Sequence, residues 1–147
     1  MNLEQIMDEW SKDCIVDPED LAGESIRATN LHSKYMKLMM ENRLKARAMD
    51  RKFKEMKLWK TRYYRGELNN KDDLDKYGIG EPFSQIILNN DIQNWLDGDS
   101  ELNDILMKKI FHEEIAEYCS LIIKELNSRS YKLGNAIKWR IFIGGGG

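Results

Sequence analysis

The sequence predicts an all-α protein, and three observations lead to that fold class. Apolar residues recur every three to four positions along most of the chain, which is the spacing of one face of an α-helix. No proline, the residue that most strongly breaks helices, occurs between Pro18 and Pro82. Aromatic residues make up 10% of the 147 residues, too many for a disordered chain. We therefore expect one folded domain, or one domain with an extended arm.

The first predicted helix is short and amphipathic. Its apolar residues Leu3, Ile6, Met7 and Trp10 fall on one helical face. The polar run that follows is expected to end this helix near residue 13.

A much longer second helix is predicted from about residue 18 to about residue 65. Asp17 supplies a capping side chain, Pro18 suits the first helical position, and Gly66 is placed to end the helix. Such a helix is a rod of about 72 Å, whereas a compact domain of this length is about 40 Å across. Because apolar residues continue along the rod, we expect a homo-oligomer that buries them.

The remaining chain predicts a linker and a helical C-terminal region. We divide the chain into an N-terminal helical arm (1–66), an acidic linker region (67–100) and a helical C-terminal region (101–147). Within the linker, residues 85–96 are compatible with a short helix or with strands, because their apolar run is too short to decide.

Two helices are predicted in the C-terminal region. A wide apolar band predicts a helix over about residues 101–127, and a basic, aromatic helix is expected over 129–142, after a break at Asn127 and Ser128. The terminal run Gly144–Gly147 is expected to be flexible.

Charge is segregated along the chain. The net charge is only −2, yet residues 1–30 carry −6, residues 31–65 carry +9, residues 66–128 carry −9 and residues 129–147 carry +4. A block of +9 indicates an anionic partner, and it equally allows contacts between basic and acidic segments of neighbouring subunits.

One face of the long helix is almost purely cationic. Opposite its apolar face lie Lys37, Arg43, Arg47, Arg51, Lys54, Arg62 and Arg65, with Glu55 as the only acid. A face of this kind is either solvated or covered by an anionic partner, and the lack of interspersed acids favours the partner.

The cationic face ends in the run Trp59–Gly66, where cations alternate with three aromatic residues. Cations bind phosphates and flat rings stack on bases, so this is the chemistry that single-stranded nucleic acid requires. Trp59 and Tyr63 also fit the apolar face and could belong to the core. Tyr64 and Arg65 are the clearer ligand candidates.

Patterns for catalysis and metal binding are largely missing. No glycine-rich loop ends in Gly-Lys-Ser/Thr, so a P-loop nucleotide site is not expected. The acidic run Asp97–Glu101 favours helix capping over a calcium loop, because Gly98 is misplaced for such a loop. Asp72–Asp75 could hold magnesium in a nuclease, but no other part of such a site lies nearby. We expect no enzyme, no metal and no cofactor, and a soluble intracellular protein without a membrane span.

A set of residues in the C-terminal region, with a smaller set in the N-terminal half, matches a known family. The set comprises Tyr118, Cys119, Ser120, Leu126, Ser128, Arg129, Tyr131, Arg140, Phe142 and Gly145, and in the N-terminal half Asp17, Leu31, Ser33, Lys34 and Tyr35. On these residues the sequence resembles the UvsY family, the recombination mediators of large tailed phages. The likeness is strongest over 118–145 and patchy over 67–100.

Tyr63, Tyr64 and Gly66 resemble the family's DNA-binding motif Lys-x-Arg-x-x-Tyr-Tyr-x-Gly. Lys60 stands at the motif's arginine position, and Leu58 stands where the motif has its first lysine. Arg62 replaces an acidic residue of the family. The positive charge is therefore kept but displaced.

The resemblance implies a mediator that hydrolyses no ATP, forms hexameric or heptameric rings through its C-terminal region, and binds single-stranded DNA. Its implied partners are a RecA-like recombinase of the UvsX type and the phage single-stranded-DNA-binding protein, which it helps to displace in the host cytoplasm. The competing hypothesis is a helical scaffold or assembly protein whose basic face binds acidic proteins.

Together the cationic face and the resemblance give two sets of site residues. DNA binding is assigned to Arg43, Arg47, Arg51, Lys54, Lys57, Lys60, Arg62, Tyr63, Tyr64 and Arg65. Oligomerisation is assigned to Leu126, Arg129, Tyr131, Leu133, Ile137, Trp139, Arg140 and Phe142.

Overall fold

The computed structural model describes residues 1–145, which form five helices and no strand. The helices are α1 (Leu3–Asp13), α2 (Leu21–Tyr64), α3 (Lys71–Lys76), α4 (Ile92–Asp97) and α5 (Ser100–Gly145). The predicted all-α fold class is confirmed. Among these residues, no helix has the length and apolar character that crossing a membrane requires.

The two N-terminal helices lie close to where the sequence predicts them. Asn2 and Gln5 form a reciprocal capping box at the start of α1, each side chain accepting the other's backbone N–H at 2.8 Å. Helix α2 begins three residues later than predicted, after Asp20 accepts the Gly23 N–H at 3.1 Å. It ends at Tyr64, two residues before Gly66, whose φ of +78° lies in the left-handed region that glycine tolerates best.

The predicted acidic linker contains two short helices. Asn70 caps the start of α3, where its side chain accepts the Asp73 N–H at 2.9 Å, and the helix buries Leu74. Helix α4 occupies part of 85–96, where the sequence left helix and strand open, and it buries Ile92 and Leu96. The polar composition of this region therefore did not indicate that two of its segments form helices with buried apolar side chains.

The predicted break at Asn127 and Ser128 is wrong, because both residues lie inside the continuous helix α5. Leu126 and Leu133 are buried on either side of the expected break. The terminal glycines were expected to be flexible, but Gly144 and Gly145 end α5. Gly146 and Gly147 lie outside the described residues.

The chain forms two compact units, each of which takes part of both long helices. Unit 1 combines Met1–Leu44 with the chain from His112 onwards, and unit 2 is Lys45–Phe111. The core of unit 1 contains Ile6, Leu31, Tyr35, Met39, Ile115, Ala116, Cys119, Ile122 and Leu126. The smaller core of unit 2 contains Ile92, Leu96 and Leu102, with Phe53, Met56, Tyr64 and Ile87 packed against them.

Unit 1 fixes the segment after α1 with polar contacts. The Asp13 carboxylate accepts hydrogen bonds from Lys34 Nζ at 2.7 Å and from the Tyr35 hydroxyl at 2.8 Å. Burial acts to raise the pKa of Asp13, but these donors outweigh it and lower the pKa. Arg129 on α5 donates to the Cys14 carbonyl at 2.8 Å.

Candidate nucleic-acid interface

Unit 2 presents a row of exposed cations along α2, which we call the cationic row. It consists of Arg47, Arg51, Lys54, Arg62 and Arg65. Successive members are three, four or eight residues apart, so they lie along one side of the helix. Leu58, 69% exposed, fills the eight-residue gap. Arg43, also a predicted ligand, is exposed in unit 1.

Three members of the cationic row have carboxylate partners at the surface. Arg51 lies 3.1 Å from Glu55, Lys54 lies 2.9 Å from Asp50, and the Arg62–Glu67 distance is 3.5 Å. Exposed pairs of this kind contribute about 0–1 kcal/mol, so a phosphate can replace the carboxylate at little cost.

Arg47 and Arg65 have no ion-pair partner among the residues that the structure describes. Both are exposed, so their guanidinium groups are open to a ligand. Lys57 also has no ion pair in that part of the chain, but it is half-buried. The exposed arginines therefore offer phosphate groups the most accessible positive charge.

Lys60 is not part of this exposed surface. Its ammonium group donates to both carboxylate oxygens of Asp99, at 2.9 and 2.7 Å, and lies 3.3 Å from Glu101. Only 9% of the Lys60 side chain and 5% of the Asp99 side chain are exposed. The lysine at the motif's arginine position is consequently neutralised inside unit 2.

Asp99 is the centre of a buried polar cluster. Its carboxylate also accepts the Tyr64 hydroxyl at 2.6 Å and the Leu102 N–H at 3.0 Å, which caps the start of α5. Burial acts to raise the pKa of Asp99, but the hydrogen bonds from Lys60, Tyr64 and Leu102 lower it overall. The carboxylate is thus held ionised, and the predicted capping role in Asp97–Glu101 is confirmed at this residue.

Tyr64 and Tyr63 belong to an aromatic cluster. Tyr64 meets Phe83 edge-on at 5.0 Å between ring centroids, and it lies 5.9 Å from Trp95. Tyr63 lies 5.4 Å from Phe83 and is half-buried. Burial and the Asp99 hydrogen bond raise the pKa of Tyr64. Because its hydroxyl is already bonded and its ring is packed, Tyr64 is a poorer ligand candidate than the sequence indicates.

The structure adds Tyr77 and Lys76, which the sequence analysis did not select, beside Trp59. The Trp59 ring stacks on the Tyr77 ring, with centroids 4.7 Å apart and planes 11° from parallel. The two rings line a cavity of about 580 Å³, which we call the Trp59 cavity. Tyr77 and its neighbour Lys76 lie in the predicted linker. The sequence feature that could have identified them as a ligand site is an aromatic residue next to a lysine.

The predicted oligomerisation residues fall into two groups within unit 1. Leu126 and Leu133 are buried, and Ile137 is half-buried. Arg129 lies 5.5 Å from the Trp10 ring centroid, and Arg140 donates to the Pro18 carbonyl at 2.8 Å. The exposed group comprises Tyr131, Trp139, Arg140 and Phe142.

The acidic clusters do not form a metal centre in the described part of the chain. No three histidine, cysteine, aspartate or glutamate side chains there are grouped so that they could hold a metal ion. Asp73 instead accepts the Asn70 side-chain amide at 2.9 Å, within the cap of α3.

Comparisons with known proteins give one family and one fold. The family model described as "Recombination, repair and ssDNA binding protein UvsY" matches residues 9–146. Three crystal structures of the bacteriophage T4 recombination mediator protein UvsY, in lattice types II, IV and I, are similar in fold, with TM-scores of 0.83, 0.82 and 0.80. Their identities to this chain are 18%, 18% and 16%, and the matches cover 98%, 97% and 94% of this chain and 98%, 99% and 98% of theirs. A search of curated proteins gives no match.

Proposed function

We propose that this chain, which belongs to the UvsY family of recombination, repair and single-stranded-DNA-binding proteins, is a recombination mediator that grips single-stranded DNA with the cationic row. In this proposal it acts as a homo-oligomer. It helps to load a RecA-like recombinase onto DNA by displacing the single-stranded-DNA-binding protein.

The observation that carries the proposal is the line of exposed cations from Arg47 to Arg65 on one side of α2. Phosphate contacts supply most of the affinity in nucleic-acid binding that is independent of sequence. Two arginines of the row are unpaired in the described residues, and the other members have only surface carboxylate partners. The row therefore suits a ligand that carries regularly spaced negative charge.

An oligomer binds a DNA strand more tightly than the cationic row of one subunit does. When one subunit has bound a DNA strand, the rows of neighbouring subunits meet the same strand at high effective concentration. Many phosphate contacts made together can compete with a protein that coats the strand. Displacement of that coat and loading of the recombinase then follow from local competition for the same phosphates, without ATP hydrolysis.

The competing function is a helical scaffold whose cationic row binds acidic protein surfaces. The same exposed arginines favour it, because a carboxylate and a phosphate are both anionic acceptors for guanidinium groups. The two functions differ in whether DNA itself is bound and whether competitor DNA removes a bound partner.

The direct test is a fluorescence-anisotropy titration of labelled oligothymidine at several salt concentrations. The test variant is Arg47→Gln/Arg65→Gln, which removes the two unpaired charges of the row. The matched control is Lys71→Gln/Lys108→Gln, which removes two exposed, unpaired charges of unit 2 outside the row. Lys60 is left intact, because its loss would disturb the buried cluster around Asp99.

We expect salt-sensitive binding by the unmodified chain, weakened in the test variant and retained in the control. Losing two phosphate contacts should make the slope of log K against log salt shallower by about 1.4. No binding of DNA at low salt would overturn the proposal and leave the scaffold function. Loading is tested separately, by whether the protein shortens the lag of a RecA-like ATPase on single-stranded DNA that is already coated.

A further inference from the structure

The Trp59 cavity has the composition of a ligand site. It lies within unit 2, between one side of α2, the end of α3 and the start of α5. Its volume of about 580 Å³ falls in the range of about 300–1,000 Å³ that is usual for sites of small organic ligands.

The aromatic side chains of the cavity, Trp59 and Tyr77, are held in place by contacts within the chain. The near-parallel stack of Trp59 and Tyr77 holds two flat rings together. Tyr77 directly follows α3, and that end is set by the Ile79 N–H, which donates to the Leu74 carbonyl at 2.8 Å around Gly78. Buried Leu74 anchors this turn. Helix α3 thus positions an aromatic residue against α2.

Positive charge surrounds these rings. Lys52, Arg62 and Lys76 line the cavity, and Lys76 Nζ lies 5.3 Å from the Tyr77 ring centroid. Lys52 and Lys76 have no ion-pair partner within residues 1–145. The one carboxylate in the lining, Glu55, is paired with Arg51. The cavity therefore favours an anion.

Apolar side chains complete the lining. Met56, Leu58 and Ile105 border the same space. An isolated phosphate would gain nothing from stacked rings and apolar walls, and a purely apolar ligand would leave Lys52 and Lys76 without a counter-charge. A flat aromatic group attached to a phosphate satisfies both parts, and that combination is a nucleotide.

We propose that the Trp59 cavity receives one nucleotide of single-stranded DNA, with its base against the aromatic and apolar side chains and its phosphate beside Lys52, Arg62 and Lys76. This inference rests on the proposed function, and it adds a base-binding site to the phosphate contacts of the cationic row. Every base has a stacking face, so the site tolerates all sequences.

The test compares two labelled oligomers of equal length and charge: oligothymidine and an oligomer that has abasic sites at every position. The full-length protein and three variants are titrated with each. Tyr77→Leu removes the stacked ring, and Tyr77→Phe keeps it. Lys76→Gln removes a lining cation, and Lys71→Gln removes a cation of the same helix that does not line the cavity. Circular dichroism checks that each variant keeps its helix content.

The unmodified protein should bind oligothymidine at least about fivefold more tightly than the abasic oligomer, since each stacked base adds binding free energy. Tyr77→Leu should remove most of that preference and Tyr77→Phe should keep it. Lys76→Gln should weaken the binding of both oligomers, and Lys71→Gln should weaken the binding of neither. Equal binding of the two oligomers by the unmodified protein would overturn the cavity proposal and leave the DNA-binding function intact. Binding of neither oligomer would instead overturn the proposed function.

A second measurement does not depend on variants. Oligomers that contain 5-iododeoxyuridine are photo-crosslinked to the unmodified protein, and the modified peptides are mapped. We expect crosslinks at Trp59 or Tyr77, and crosslinks confined to other aromatic residues would contradict the proposal. Binding of thymidine 5′-monophosphate as tight as that of the oligomer would contradict occupation by a DNA chain.

Discussion

Lys60 on α2 and Asp99 just before α5 form a buried ion pair, with the ammonium nitrogen 2.9 and 2.7 Å from the two carboxylate oxygens. The pair joins the end of one long helix to the start of the other within unit 2. Tyr64 adds a third hydrogen bond to the same carboxylate. Lys60 and Tyr64, which the sequence predicts to bind DNA, therefore form contacts inside unit 2 beside the exposed arginines that we propose to bind DNA.

Asp99→Asn is expected to destabilise the protein strongly. The substitution removes the buried partner of Lys60 and leaves only Glu101, an exposed carboxylate 3.3 Å away. Breaking a buried ion pair in this way costs up to about 3–5 kcal/mol. Urea unfolding followed by circular dichroism measures the loss. The double variant Lys60→Met/Asp99→Asn should lose less than the sum of the two single variants, because it removes both charges. Additive losses would show that the two side chains do not interact.

The contribution of Asp99 should disappear in acid. Its pKa is lowered in the folded protein, so the folded state favours the ionised carboxylate. Stabilisation is then fully present above about pH 4, the range of the unfolded carboxyl pKa, and is lost as pH falls through the lower folded pKa. The stability gap between the unmodified protein and Asp99→Asn should stay constant from about pH 5 to 7 and narrow below about pH 4. A gap that does not change with pH would contradict this prediction.

Leu58→Lys is expected to strengthen DNA binding. Leu58 is exposed and occupies the gap in the cationic row, so a lysine there adds a phosphate contact without disturbing the core. Leu58 also borders the Trp59 cavity, where the alkyl part of the lysine side chain keeps an apolar contact. The salt slope should steepen by about 0.7, the value for one phosphate of a single strand. Anisotropy titration with oligothymidine measures both effects.

The matched control for this gain is Leu88→Lys. Leu88 has the same exposure of 69% and lies in unit 2, but outside the cationic row. The substitution Leu88→Lys adds the same charge to the chain as Leu58→Lys does. An equal gain from both variants would mean that net charge, rather than the position in the row, governs affinity.

The sequence predicts the fold class and the long helices because the apolar spacing that specifies them is local. For Lys60, the resemblance predicts DNA binding, whereas the position on the helix predicts burial, and the structure agrees with the second prediction. With Leu31 at 0°, Lys60 falls at about 20° on a helical projection, inside the apolar face. Its carboxylate partner is 39 residues away, and no local pattern identifies such a partner. The family itself was predicted correctly from scattered matches.

The continuity of α5 was not predictable from local preference either. Asparagine and serine lower helix propensity by only tenths of a kcal/mol each, which tertiary contacts easily outweigh. Buried Leu126 and Leu133 supply those contacts. Tyr77 was missed for a similar reason, since its role depends on stacking against Trp59 and not on its own segment.

The two cysteines should differ sharply in reactivity. Burial raises the pKa of the Cys119 thiol to about 11, so almost none of it is the reactive thiolate at neutral pH. Cys14 is only half-buried, at the end of α1. Timed alkylation followed by mass spectrometry should label Cys14 first and Cys119 only after denaturant is added. Equal rates in the folded protein would contradict the packing of unit 1.

Trp139→Ser/Phe142→Ser is expected to weaken self-assembly without unfolding the subunit. These side chains are 62% and 68% exposed and stack on each other at 5.7 Å, so they form an apolar surface that a neighbouring subunit could bury. Sedimentation velocity should show smaller oligomers with unchanged helix content. Ile86→Ser, which changes a fully exposed apolar residue in unit 2, serves as the control and should leave the oligomer size unchanged. An unchanged size for the double variant would exclude these two rings from the assembly surface and transfer the role to other exposed residues of α5, because Leu126 and Leu133 are already buried within their own subunit.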